Sequence, residues 1–264
     1  MQITATGKTD LGLVRSNNED NFYLDEKTGL LLVADGMGGH ASGETASKLA
    51  VTVMRDYFHG PQIQFGKYNY SYSEATNRLN SAINFANLAV LEAARESPQL
   101  RGMGTTIVAV HLNGNKLSIA HIGDSRAYLI RAGSIEQLTH DHTLVNEQIK
   151  SEMITAKEAA QSAMKNILTK ALGISEDTEA ELDELTVFND DILLLCSDGL
   201  NNMIRDEAML DIILSSPHHD AACASLINAA NELGGWDNIT VVIGHIKKKK
   251  WHFALFKLME AFRR

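Results

Sequence analysis

The spacing of apolar and polar positions changes period several times along the chain. Ile3 to Thr6 and Asn21 to Asp25 alternate like short strands, separated by the polar connection LGLVRSNNEDNF. Leu30 to Ala34 is an uninterrupted apolar run, the pattern of a strand buried on both faces. The glycine-rich turn after it feeds a helix predicted to begin near Ser42. A Tyr- and Gly-containing connection without period runs from His59 to Ser73, after which Leu79, Ile83, Ala86, Val90 and Ala93 form one helical stripe within Ala75 to Arg95. The segments TTIVAVHL and KLSIAHIG flank Asn113-Gly114-Asn115, residue types that supply the positive φ of a tight turn, so an antiparallel hairpin is predicted at mid-chain. RAYLI resumes a strand beyond Gly123-Asp124-Ser125-Arg126. Thr139 to Leu172 turns polar and helical and reads as an insertion or lid. A second apolar strand, Ile192 to Cys196, precedes helical stretches with Asp206 and Asp220 as candidate N-caps, and Asn238 to Ile246 closes the chain as a strand.

Composition narrows the class. With 264 residues, 44% apolar and 22% charged, the chain has the make-up of a globular protein able to bury a sizeable core, and one domain is the economical reading. A net charge of −9 argues against nucleic acid as a partner. That charge is unevenly spread: from Lys247 onward seven Lys and Arg face only Glu260, giving +6 and leaving −15 for residues 1–246. Two cysteines, Cys196 and Cys223, suggest neither a disulfide framework nor a zinc ribbon. MQITATGKTDLG has no basic region followed by an apolar one, and no apolar run approaches a membrane span, so cytoplasmic residence is expected.

The candidate chemistry lies at strand ends. Glu19, Asp20, Asp35, Asp124, Asp198 and Asp237 each sit beside a predicted strand, and the grammar of an apolar run ending in Asp-Gly occurs twice. Carboxylates gathered in one place repel unless cations hold them, and oxygen-only ligands select hard ions such as Mg²⁺ or Mn²⁺. A rival reading exists, since Gly36, Gly38 and Ala41 match a G-x-G-x-x-A dinucleotide turn with Asp56 twenty residues beyond Gly36. Against it, Asp56 falls in a helical pattern, and Asp35 would repel the pyrophosphate. His140 and His142 flank Asp141 as a lone pair without a third ligand.

Taken together, RSNNED, VADGMGGHASGE, GMGTTIVAV, IAHIGDSRAYL, LTHDHTLV, ILTKALG, LLLCSDGL and WDNITVVI resemble, in order, the motifs of the metal-dependent protein phosphatases of type 2C, specifically the bacterial serine/threonine phosphatases. The resemblance spans roughly Thr4 to Ile246. It implies an α+β fold, a four-layer α-β-β-α sandwich of two antiparallel sheets flanked by helices. It implies two Mn²⁺ or Mg²⁺ ions, with Asp35 bridging them, the Gly36 carbonyl, Asp198 and Asp237 completing one site, and Glu19 joining Asp35 at the other. Asp124 with Asp198 matches a third, weaker site. Asp20 would orient water, Arg15 would clasp the phosphoryl group, and a metal-bridging hydroxide would attack phosphoserine or phosphothreonine in line. His40 is the candidate general acid, with a metal-bound water as the alternative, because Met37 stands where animal members carry histidine after Asp-Gly. Residues 139–165 would form a flap, although QSAMKN at Gln161 to Asn166 departs from the His-Pro-containing sequence common in relatives.

Family resemblance also implies phosphorylated proteins as substrates, with a cognate Ser/Thr kinase and its targets as partners and a monomer as the working unit. The alternative function is a catalytically silent phosphoprotein-binding or scaffold module. Residues 1–246 are read as the catalytic domain and 247–264 as a separate basic tail. On a helix, Trp251, Leu255, Leu258, Met259 and Phe262 of that tail share one face, a pattern suited to an anionic inner-membrane surface or an acidic protein groove.

Overall fold

A computed structural model describes residues 1–38, 42–160 and 162–249. The strands are β1 (Gln2–Asp10), β2 (Asp20–Asp25), β3 (Leu30–Met37), β4 (Gly104–Thr105), β5 (Ile107–Asn113), β6 (Lys116–Ile122), β7 (Arg126–Arg131), β8 (Ser134–Gln137), β9 (Glu181–Thr186), β10 (Ile192–Cys196) and β11 (Ile239–Lys247). The α-helices are α1 (Ser42–His59), α2 (Glu74–Glu96), α3 (Leu144–Lys150), α4 (Ala156–Ala160), α5 (Asp198–Asn201), α6 (Asp206–Ser215) and α7 (His219–Glu232).

One sheet runs β1-β11-β10-β7-β8 and the other β2-β3-β5-β6-β9, with β4 pairing onto β3, and every pairing is antiparallel. The reason lies in how β3 and β10 divide their side chains. Leu30, Leu32 and Ala34 pack against α1 and α2, while Leu31 and Val33 join the layer between the sheets. In β10, Leu194 and Cys196 face the α5–α7 side and Leu193 and Leu195 the inter-sheet layer. A strand covered on both faces cannot alternate in polarity, which accounts for the continuous apolar runs. The result is the four-layer α-β-β-α sandwich.

The mid-chain hairpin closes with Asn113 opposite Lys116, so Gly114-Asn115 is a two-residue turn in which Gly114 takes φ 65°. Two expectations about caps are corrected. Arg205 and His218, not Asp206 and Asp220, hold the N-cap positions of α6 and α7; both aspartates lie within the first turn, where a carboxylate meets the positive end of the helix dipole. Asp220 also pairs with Lys8 at 2.9 Å. The dinucleotide reading fails on topology. β3 lies between antiparallel β2 and β5 rather than in a parallel crossover unit, and Asp56 belongs to α1. Cys196 and Cys223 are both buried and unpaired. Among the described residues, no helix is long and apolar enough to cross a membrane.

Candidate metal centre

Strand ends from both sheets converge on one cleft of about 470 Å³, lined in part by Arg15, Glu19, Asp35, Gly36, Asp124, Asp198 and Asp237. Each arrives by a different route. Arg15 and Glu19 lie in the connection from β1 to β2, Asp35 and Gly36 on β3, Asp124 just after β6, Asp198 at the start of α5 after β10, and Asp237 just before β11. Asp20 stands opposite Asp35 in the β2–β3 register and is 4% exposed. His40 lies outside the described residues.

Hydrogen bonds fix this edge. Thr106 accepts the Asp35 amide on Oγ1 at 3.0 Å and donates its own amide to the Asp35 carbonyl at 2.8 Å. Asn238 accepts the Glu19 amide on Oδ1 at 2.8 Å, while its Nδ2 donates to the carbonyls of Leu11 and Asn17. The two sheets are stapled at Asp20, whose Oδ2 accepts from Ser197 Oγ at 2.6 Å and Thr240 Oγ1 at 2.7 Å. Thr106, Ser197, Asn238 and Thr240 went unassigned in the sequence, although all four lie in the motif blocks GMGTTIVAV, LLLCSDGL and WDNITVVI, and Ser197 and Asn238 adjoin the strand-end acids Asp198 and Asp237. Two glycines are required by contact rather than by conformation. A Cβ on Gly36 would lie 2.1 Å from the Gly43 carbonyl oxygen, and one on Gly43 would lie 2.7 Å from the Glu19 carboxylate.

The electrostatics call for a cation. Burial, followed by the charges of Asp20, Asp198, Asp124 and Asp237, pushes the Asp35 carboxyl far above its ordinary range. Burial and the Asp237 charge raise Asp198 to about 6, and burial and the Asp198 charge raise Asp124 to about 8. Burial lifts Asp20 to about 7 against the opposing hydrogen bonds from Ser197 and Thr240. Its Oδ1 is buried with no hydrogen-bond partner among the described residues. Five carboxylates line the cleft against Arg15 and Lys170, an excess of negative charge on oxygen donors that suits hard divalent ions. Gly36 donates its amide to the Glu19 carbonyl at 3.1 Å, so that amide is not free to cradle a phosphate.

A second group of possible ligands, His121, His142 and Glu181, lies within 4.8 Å. Its proton arrangement does not suit a metal, although His142 Nε2 is buried without a hydrogen-bond partner among the described residues. His142 Nδ1 accepts the Gly123 amide at 3.1 Å, which leaves the proton on Nε2, 3.4 Å from Glu181 Oε2. A metal on Nε2 would drive the proton to Nδ1, against the Gly123 N–H. His121 and His142 stack with centroids 4.7 Å apart, and burial lowers the pKa of both, keeping the rings neutral. His140, by contrast, is exposed, and Asp141 forms a two-pronged pair with Arg126 at 2.8 and 2.7 Å.

A family model described as Protein phosphatase 2C matches residues 14–232. The serine/threonine phosphatase stp of Listeria welshimeri is 36% identical over 239 residues, covering 89% of this chain and 93% of the relative. The serine/threonine protein phosphatase PstP of Mycobacterium tuberculosis is 37% identical over 239 residues, 90% of this chain and 44% of the relative. The crystal structure of that phosphatase superposes with a TM-score of 0.84 at 35% identity, covering 94% of this chain and all of the solved one. A structure of the PstP catalytic domain in complex with two manganese ions gives 0.81 at 34% identity, covering 94% of this chain and 99% of the other.

Proposed function

This chain belongs to the protein phosphatase 2C family, and from that premise we propose how its cleft performs the reaction of a metal-dependent protein serine/threonine phosphatase. The observation that carries the reading is the convergence of Glu19, Asp35, Asp124, Asp198 and Asp237 on one cleft beside Arg15. A silent binding module would have no use for five carboxylates gathered in one cleft against two cations.

Asp35, which lines the cleft together with Glu19 and Asp198, would be a ligand common to two ions. The Gly36 carbonyl, Asp198 and Asp237 would complete one site, Glu19 the other, and Asp124 with Asp198 would hold a weaker third. When bound, Mn²⁺ or Mg²⁺ supplies the Lewis acidity that makes water a nucleophile near neutral pH. The chain's own groups do the rest. Arg15 offers a planar fork to two phosphoryl oxygens. Asp20, with Oδ2 taken by Ser197 and Thr240, keeps Oδ1 to orient the attacking water and accept its proton. His40 is the proposed donor of the proton that the departing serine or threonine oxygen needs.

Phosphorylated proteins are the substrates of such enzymes. For this chain we assign residues 1–246 to the catalytic domain, with a flap over 139–165, and 247–264 to a basic tail. A cognate Ser/Thr kinase and its targets are the proposed partners, and a monomer the working unit. The tail, most of which lies outside the described residues, is proposed to hold the enzyme at an anionic membrane surface on the cytoplasmic side. The assignment of the acids is tested by Mn²⁺-dependent hydrolysis of an aryl phosphate and a phosphothreonine peptide, comparing wild type with Asp198→Asn. An inert wild type, or a fully active variant, would refute it.

A further inference from the structure

We infer that the metal cleft is the head of a longer substrate groove, and that this groove selects phosphorylated segments carrying Lys or Arg several residues from the phosphorylated Ser or Thr. The inference rests on the phosphatase reading and adds a substrate class to it.

Three hollows in the surface share lining residues in series. The cleft shares Thr169, Lys170, Ala171 and Ile174 with a neighbouring hollow of about 300 Å³. That hollow in turn shares Asp177, Thr178 and Glu179 with one of about 800 Å³ bordered by α2 and by the connection from α1 to α2. Residues 169–179 are therefore a common border running from the candidate metal ligands to the far hollow. The border is braced rather than loose. Asn87 of α2, 4% exposed, accepts the Gly173 amide at 2.7 Å and donates to the Ser175 carbonyl at 2.8 Å. Gly173 adopts φ 83°, and a Cβ there would lie 2.3 Å from Val90 Cγ1, so the border sits tight on the helix. A preset groove spares the ordering cost of binding an extended segment.

Charge changes sign along this path. Arg15 and Lys170 mark the phosphate end. Beyond them come Glu176, Asp177 and Glu179, of which Glu176 is engaged by Arg95, whereas Asp177 and Glu179 make no ion pair among the described residues. The far hollow adds one cation, Lys67, outnumbered by these carboxylates, and the rings of Tyr68 and Tyr70, centroids 5.0 Å apart, with Tyr70 92% exposed. Carboxylates in one hollow with an exposed and a half-buried tyrosine ring form a setting for guanidinium or ammonium groups, through charge-assisted hydrogen bonds and cation–π contact. From Ala171 to Asp177 an extended chain spans at most about 20 Å, which places the selected basic residues within roughly six positions of the phosphorylated one. The −15 charge of residues 1–246 attracts such segments before they dock.

The test uses the full chain with Mn²⁺ and three substrates. Two are phosphothreonine peptides of equal length, one with Arg and one with Glu three to six positions to either side, and the third is an aryl phosphate too small to leave the cleft. Wild type is expected to favour the Arg peptide by about fivefold in kcat/KM, mainly through KM, the scale of two exposed charge pairs. Asp177→Lys with Glu179→Lys removes or reverses that preference and leaves the aryl phosphate unchanged. The same charge change at Glu207 and Asp211 of α6 leaves the preference intact. Equal use of both peptides by wild type, or an equal loss from the α6 variant, overturns the groove. Anisotropy of the labelled peptides in EDTA decides the matter independently of turnover: an enzyme inert on all three substrates that still binds the Arg peptide selectively would refute the phosphatase reading and leave the groove standing.

Discussion

Arg15 and Asp237, 222 positions apart in sequence, meet at the cleft with Nη2 2.6 Å from Oδ2. The Asn238 amide holds the other carboxylate oxygen at 2.8 Å. The residue proposed to clasp phosphate is thus paired with a residue proposed to bind metal, so the two tasks compete for one carboxylate. Removing the guanidinium should have opposite effects on them. Arg15→Ala is expected to tighten Mn²⁺ binding measured by calorimetry, because a cation and a competing hydrogen bond disappear. The same variant is expected to lower kcat/KM on a phosphopeptide by about tenfold or more, the ~1.4 kcal/mol scale of a lost forked contact. A parallel fall in both quantities would mean that Arg15 merely supports the local fold.

The raised carboxylates set a pH dependence. In the metal-free protein Asp198, Asp20 and Asp124 titrate at about 6, 7 and 8, above the ordinary aspartate value of 3.8. The folded state therefore binds more protons than the unfolded one, and stability falls as pH rises. The contribution is complete below the ordinary value and is lost as pH passes through 6 to 8. Thermal melts in EDTA should show the midpoint declining between pH 5 and 8. Mn²⁺ displaces those protons, so its stabilising effect should grow over the same interval. A midpoint in EDTA that rises with pH would contradict the repulsion described above.

Gly36 and Gly43 separate a folding requirement from a metal requirement. A methyl group on Gly36 meets backbone, the Gly43 carbonyl oxygen at 2.1 Å, which cannot move without shifting the start of α1. Gly36→Ala should cost about 1–3 kcal/mol of stability, the range for an overpacked site. On Gly43 the methyl meets the end of the Glu19 side chain at 2.7 Å, which is able to rotate away. Gly43→Ala should melt close to wild type in EDTA yet need more Mn²⁺ for half-maximal activity. Equal melting losses for the two variants would count against this division.

The strands buried on both faces were legible in the sequence because burial on both faces leaves uninterrupted apolar runs, as at Leu30–Ala34 and Ile192–Cys196. The edge strands β8 and β9 were not. SIEQ offers one apolar position and ELDELT two, too few to set a period, whereas the edge strands β1 and β2 were legible by their alternation. The strand-end acids stood out through the repeated Asp-Gly exits and the ordered motifs. Their supports did not, because a staple such as Asp20 to Thr240 joins residues 220 positions apart in different sheets. Asn87 is similarly silent: an asparagine within a helical stripe gives no sign that it braces a loop 86 positions away.

The tail prediction follows from the direction of β11. This strand begins at Ile239, beside Asp237 in the cleft, and ends at Lys247, and nine residues at about 3.3 Å each carry the chain nearly 30 Å from the metal site. There the Lys248 amide donates to Asn189 Oδ1 at 2.8 Å, fixing the exit point at the opposite end of the sheet. A membrane held by residues 249–264 would therefore lie away from the cleft and leave it open to protein substrates. Residues 1–248, at −13, are repelled by anionic lipid, so residues 249–264, at +4, would have to supply the attraction. Deleting Lys249 to Arg264 spares both β11 and the Asn189 contact. The truncated enzyme should lose co-sedimentation with phosphatidylserine-containing liposomes and keep its aryl phosphate kcat/KM. Failure of the intact protein to sediment with those liposomes at low salt would end the membrane reading, and an activity loss on truncation would show that the tail serves the catalytic domain instead.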